Sequence, residues 1–246
     1  MRTVSSSPAA TSARSSLFPS TALVTGSAGG IGRAIVEWLE QEGADVVELD
    51  LVTGFDVADP TAWQSIDRVD LACLNAGVTT STAEIAELTA EEYQRVVAVN
   101  VDGVVYGVRR LAREMDVGDA IVVTASLAGL TGVESDPIYA LTKHAVVGFV
   151  RSVAPQLHER GIRINAVCPG FADTPMVAGE LRASLEEAEF PLLAPEDVAE
   201  AVLVAARSES TGEAWVVQPG RDPEPYGFRG IPGPRVPGAE GVAPPL

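Results

Sequence analysis

Thr21-Ala22-Leu23-Val24-Thr25-Gly26-Ser27-Ala28-Gly29-Gly30-Ile31-Gly32 is the stretch on which the fold turns. Thr21 to Val24 is a short apolar run closed by glycines, the pattern of a buried strand, and Arg33 to Glu42 continues with apolar positions at helical spacing. Glycines between a strand and a helix permit a tight turn and close backbone approach, and the first N–H groups of the helix form a ready anion site. Ala44 to Asp50 then supplies a second strand that ends in an acid. In such a unit the acid stands where a ribose 2′-hydroxyl is gripped, and its charge repels a 2′-phosphate, which favours NAD over NADP. The plainer reading of Asp50 is a strand-terminal residue making a turn.

Working outward, strands and helices keep alternating. Residues 69–74 form an apolar strand closed by Asn75-Ala76-Gly77, and a short helix signal precedes it at 60–66. Thr89, with Glu92 three residues on, opens a helix running to Val108. Asn100 lies inside that helix, and a buried Asn there must bridge backbone groups or serve a site. Residues 120–126 and 163–168 are further strands, the first ending at Ser126 and the second at Pro169-Gly170. A lid with a helix over 178–189 is expected between Phe171 and Ala194, followed by a helix over 195–206 and a last strand over 214–217. Half of the residues from Pro219 onward are Gly or Pro, so no regular structure is expected there. Residues 1–20 are rich in Ser, Thr and Ala and carry Arg2 and Arg14 without an acid. That superficially suits a transit peptide, but no amphipathic pattern is evident and disorder is the reading adopted. One domain over 21–220, with a lid at 171–194 and a Pro/Gly-rich tail at 221–246, is the organisation expected.

Acids outnumber bases 34 to 17, a formal net charge of -17, which opposes a phosphate backbone or an anionic membrane surface. No nucleic-acid or membrane partner is expected, and no apolar run has the length of a membrane helix. Cys73 and Cys168 lie in apolar runs without C-x-x-C spacing or a His cluster, so buried free thiols are expected and no metal site. A cytoplasmic location follows from the same reading.

Tyr139-Ala140-Leu141-Thr142-Lys143 holds the best candidate for chemistry. On a helix Tyr139 and Lys143 share a face. A phenol moves protons near neutral pH only when a nearby cation favours its ionised form, and Lys143 can be that cation. Ser126, at a strand's carboxyl end where open α/β sheets bind ligands, can hold a carbonyl or alcohol oxygen beside the phenol. Taken alone, Tyr139 and Lys143 read more readily as a helix surface pair. His144 and His158 are read as structural, and residues 134–136 as a solvated loop.

With these residues assembled, residues 21–220 resemble the short-chain dehydrogenase/reductase family. The motifs stand in the family's order: T-G-x-x-x-G-x-G at Thr25 to Gly32, the acid Asp50, Asp56-Val57, N-A-G at Asn75 to Gly77, Asn100, Ser126, Y-x-x-x-K at Tyr139 to Lys143, and Pro169-Gly170 followed by Thr174. The resemblance implies an α/β, Rossmann-like doubly wound parallel sheet of about seven strands, with helices on both faces in one domain. It implies Tyr139 as general acid/base, Ser126 on the substrate oxygen, Lys143 lowering the tyrosine pKa and bonding the nicotinamide ribose, and Asn100 positioning a water. Gly26, Gly30, Ile31 and Gly32 would line the diphosphate and ribose of NAD, Asp56 and Val57 the adenine, and Asn75, Ala76 and Gly77 the adenosine side. Phe171, through its backbone, and Thr174 would meet the nicotinamide amide and phosphate. Gly29 and Leu51 stand where relatives that use NADP place a cation.

Two departures accompany the resemblance. The interval between Asp50 and Asp56 is too short for the family's usual crossover helix, so the sheet edge there should be exposed or covered by a partner. The tail replaces the usual glycine-rich ending, and Tyr226, Phe228 and Ile231 are expected to anchor it on a neighbouring subunit and to shape the substrate cleft. A homotetramer or homodimer built on the helices containing Asn100 and Tyr139 is implied. The function implied is reversible hydride transfer between NAD and a secondary alcohol or its ketone. Val78, Leu127, Ala128, Val133 and Phe171 suggest an uncharged, apolar substrate. An NADP-dependent carbonyl or 3-oxoacyl reductase, and a dinucleotide sensor without turnover, are the alternatives.

Overall fold

The structure is a computed structural model that describes residues 19–80 and 84–238, so the expectations for residues 1–18 and 239–246 lie outside the described residues. Its strands are β1 (Thr21–Thr25), β2 (Asp45–Leu49), β3 (Leu71–Leu74), β4 (Ala120–Thr124), β5 (Arg163–Pro169), β6 (Ala214–Val217) and β7 (Glu224–Pro225). They form one seven-stranded sheet in the order β2-β1-β3-β4-β5-β6-β7. The pairs from β2 through β6 are all parallel, and β7 alone is antiparallel, adding Pro225 opposite Trp215 and Glu224 opposite Val216. The strand number expected is met, with one strand supplied by the tail that was expected to lack regular structure.

Strands buried on both faces read as continuous apolar runs because alternate side chains feed two cores. In β1, Leu23 enters the core formed with α3 (Gly103–Glu114) and α4 (Pro137–His158), beside Val104, Leu111 and Val150. Ala22 and Val24 enter the core formed with α1 (Gly30–Gln41) and α6 (Pro195–Arg207), beside Ile35, Leu39 and Val202. The helix expected from Thr89 is longer than the apolar spacing suggested. Thr89 caps α2 (Ala90–Val97), accepting a 3.1 Å bond from Glu92 N, and the chain runs through a π-helical turn, Ala98–Asp102, into α3. The lid helix α5 (Gly179–Glu187) lies within the segment expected for it.

The missing crossover helix is replaced by two short 3₁₀ turns, Leu51–Thr53 and Ala62–Ser65. Trp63 fills the gap. It is 2% exposed, its indole N–H donates to the Val57 carbonyl at 2.9 Å, and it meets Phe55 edge-on at 5.2 Å. The turns seat on α3 because two glycines there leave room. A Cβ on Gly107 would come 2.8 Å from the indole ring, and one on Gly103 would come 2.9 Å from Val57 Cγ2. β2 is left as the sheet edge, with Asp45, Val47 and Glu48 exposed.

The tail, expected to dock on a neighbouring subunit, packs its first part on its own chain. Tyr226 N donates to the Ala214 carbonyl at 2.7 Å, Tyr226 and Phe228 meet edge-on at 4.9 Å, and the Arg151 guanidinium of α4 stacks 3.7 Å above the Phe228 ring. Ile231, expected as an anchor, is 73% exposed. Cys73 and Cys168 are free and buried. No described helix is long and apolar enough to cross a membrane.

Candidate active site

The glycine loop turns because its residues have little or no side chain in the way. Gly26 and Gly30 adopt φ of 68° and 53°, where L side chains are strained. Gly32 has no room at all, since a Cβ there would fall 1.9 Å from the Gly26 carbonyl oxygen. α1 begins with no side-chain cap and no acid in its first turn, so the first-turn N–H groups, Ile31's among them, are offered to an anion. Thr174 faces this loop from the opposite side, 3.2 Å from where a Gly30 Cβ would stand. Arg33, the cation on that first turn, is engaged by Glu37 at 2.8 Å.

Asp50 does two jobs. One carboxylate oxygen accepts from Val52 N at 3.1 Å, which is the turn-making role, and the other accepts from Ala28 N of the glycine loop at 3.0 Å. Each oxygen keeps a second lone pair for a hydroxyl. Asp56 is exposed and makes a turn of its own to Ala58 N at 2.9 Å. Val57 is a core residue: its side chain packs on Gly103 and its carbonyl is taken by Trp63, so of the expected adenine pair Asp56 is the side chain that remains open.

β3 delivers Asn75-Ala76-Gly77 against the loop. The buried Thr25 hydroxyl accepts from Asn75 N at 2.9 Å and Ala76 N at 3.0 Å, and Asn75 Nδ2 donates to the Thr25 carbonyl at 3.2 Å. Gly77 reaches the next group, since a Cβ there would lie 3.4 Å from both Lys143 Nζ and Asn100 Oδ1. Asn100, 1% exposed in the π-helical turn, clamps Val78 through both backbone groups at 2.8 Å and donates to Thr142 Oγ1 at 3.0 Å. Its side chain is therefore a bracket between the β3 loop and α4.

α4 carries the remaining candidates. Asp136 caps it, accepting from Tyr139 N at 2.8 Å, while its other oxygen accepts from Thr80 N at 2.9 Å. Far from belonging to a solvated loop, it fixes the start of the helix that bears Tyr139. Lys143 is buried and donates to the Thr124 carbonyl at 2.8 Å, with Nζ 5.4 Å from the Tyr139 ring centre. Ser126 Oγ accepts from Ala128 N at 3.1 Å, and its hydroxyl lies close enough to the Tyr139 phenol to favour the ionised form. The turn after Ser126 lies directly on α4 through Gly129, where a Cβ would fall 2.7 Å from the Lys143 carbonyl.

Burial dominates the ionisation of this group. It pushes Tyr139 up to about 12, against the pull of the nearby Ser126 hydroxyl, and pushes Lys143 down to about 8. The phenol thus lies above its ordinary value rather than below it as expected, because desolvation of the phenolate dominates. Cys168 lies against the same group and its thiol is likewise pushed up to about 12 by burial.

Pro169 ends β5, and Gly170 N donates to the Val217 carbonyl at 3.0 Å. The Phe171 carbonyl accepts from Leu193 N at 2.8 Å while its ring meets Phe190 edge-on, so Phe171 ties together the two ends of the segment expected as a lid. The structure brings Asn100, Ser126, Tyr139, Lys143 and Gly77 together and sets the glycine loop, Asn75 and Thr174 beside one another. Thr25, Asp136, Gly129 and Thr142 were missed. Asp136 before Pro137 was readable as a helix cap, whereas nothing in the sequence marks Gly129 or Thr142 as contacts.

The chain matches the family model described as Enoyl-(Acyl carrier protein) reductase over residues 55–221. It is 33% identical to an uncharacterized short-chain type dehydrogenase/reductase of Sinorhizobium fredii, across 80% of this chain and 43% of that longer protein. It is 30% identical to cyclohexanol dehydrogenase of an Acinetobacter species, across 80% of this chain and 92% of the relative. Among solved structures, a short chain dehydrogenase from Burkholderia cenocepacia in complex with NADP superimposes with a TM-score of 0.70 at 28% identity, covering 81% of this chain and 96% of that one.

Proposed function

The chain belongs to the short-chain dehydrogenase/reductase family, and on that footing we propose that it interconverts a secondary alcohol and its ketone with NAD. The observation that carries the reading is the Ser126–Tyr139 hydroxyl pair beside buried Lys143, joined through Gly77 and Asn75 to an uncapped helix N-terminus. The glycine loop fits a dinucleotide, since Gly32 leaves bare the space that a Cβ would fill and α1 offers its first N–H groups. A bound nicotinamide dinucleotide supplies the redox half of the reaction, taking or giving a hydride.

The chain's own residues supply the proton. Ser126 Oγ and the Tyr139 hydroxyl hold the substrate oxygen between them, and Tyr139 gives a proton to it in reduction or takes one in oxidation. With its pKa held up near 12, Tyr139 is protonated at neutral pH and stands ready as an acid. Lys143 would hold the cofactor's ribose and, charged below about pH 8, offers the cation that a developing phenolate meets. Asn100 and Asp136 keep the geometry, the first through Val78 and the second through the start of α4.

Asp50 supports NAD, because a 2′-phosphate would bring a second anion against its carboxylate. A second reading, an NADP-dependent carbonyl or 3-oxoacyl reductase, draws on the NADP in the similar Burkholderia structure. The test is absorbance of the reduced cofactor with NAD and NADP over a panel of secondary alcohols. Oxidation is expected to be faster with NAD and to accelerate toward alkaline pH. Tyr139→Phe should cost roughly 10²-fold or more in kcat. Near wild-type turnover in that variant would defeat the mechanism, and preference for NADP would favour the second reading.

A further inference from the structure

A cleft of about 600 Å³ opens between the turn after Ser126, the end of β6 and the lid. It starts beside the proposed chemistry, since Leu127, the residue after Ser126, forms its inner wall with Leu130. Phe190 closes it from the lid, and the far wall is the tail, through Arg221, Glu224 and Tyr226. Contacts within the chain hold this wall. β7 is bonded to β6, and Phe228 is held under Arg151 of α4, the helix that carries Tyr139. Arg221 and Glu224 neutralise each other as an ion pair at the rim. An apolar cleft of this volume with no free charge suits a body larger than one ring.

We propose that residues 221–228 form a specificity wall that selects uncharged secondary alcohols with a bulky apolar body, Tyr226 being the residue that packs on that body. This deepens the dehydrogenase reading and rests on it for the reaction, but not for the binding. The experiment compares 2-propanol, cyclohexanol, 2-decalol and sorbitol as substrates, with 2-decalol binding followed independently by ligand-observed NMR. kcat/KM should rise from 2-propanol to 2-decalol, and sorbitol should be poor. Tyr226→Ala should weaken 2-decalol about tenfold or more, in KM and in binding, while 2-propanol changes less than about twofold. Tyr226→Phe, which keeps the ring, should retain the wild-type pattern. Equal losses on 2-propanol and 2-decalol, or equal binding of 2-decalol to wild type and Tyr226→Ala, would overturn the proposal. Weaker binding in Tyr226→Ala without turnover of any alcohol would support the wall and count against the reaction.

Discussion

Lys143 holds its charge in the interior against the burial that lowers its pKa to about 8, below the usual 10.5. The unfolded chain therefore binds more protons between those values, and stability rises with pH across that window. The contribution is fully present above the unfolded pKa and is lost as pH falls through the folded one. Tyr139 acts in the opposite sense, and only above its unfolded value near 10, where stability falls as pH approaches about 12. Urea unfolding should accordingly show a gain between about pH 8 and 9.5 that vanishes in Lys143→Met, a variant expected to lose activity. An unchanged pH slope in that variant would assign the titration elsewhere. Tyr139 and Lys143 were legible as a pair only beside the glycine loop and Ser126, since their spacing alone reads as a surface pair. The direction of their pKa shifts was not, because desolvation depends on Thr124, Ser126 and Gly129 closing around them, which no local pattern announces.

Between β2 and β3, one indole does the work of a helix. Trp63 fits only because Gly107 bares α3 beneath it, and Val57, whose carbonyl it bonds, fits because of Gly103, so the short connection and the two glycines form one packing unit. Trp63→Ala should lower unfolding free energy by about 3–5 kcal/mol in denaturant titration, a loss that a surface tryptophan would not give. The shortened connection was readable from the interval between Asp50 and Asp56, but its replacement was not. A lone Trp amid polar residues has no periodicity to reveal what it packs on. The π-helical turn escaped for a related reason, as one extra residue barely disturbs the apolar spacing around Asn100. β7 is two residues long and includes a proline, which argues against a strand until the neighbouring β6 is in place.

The whole molecule carries a net charge of -17, yet the proposed ligand is an anion. Local backbone geometry at α1 must therefore overcome an unfavourable overall field. Mutual repulsion among the acids should be relieved by salt, so Tm is expected to rise between low and moderate ionic strength, readable by calorimetry. A fall in Tm would mean that attractive pairs such as Arg68 with Asp119 dominate instead. At this scale the sheet and its ligand end were legible, since strand, loop and helix signals alternate along the chain. The tail's route was not, because it is set by β6 and Arg151 rather than by its own residues. Leaving β2 at the margin also has a colloidal consequence. An outward row of unpaired backbone groups invites a second sheet to dock and grow into a fibril, and here Asp45 and Glu48 sit on that strand. Two copies approaching side by side would press carboxylate on carboxylate, so the fold discourages its own polymerisation at an edge that no described element covers.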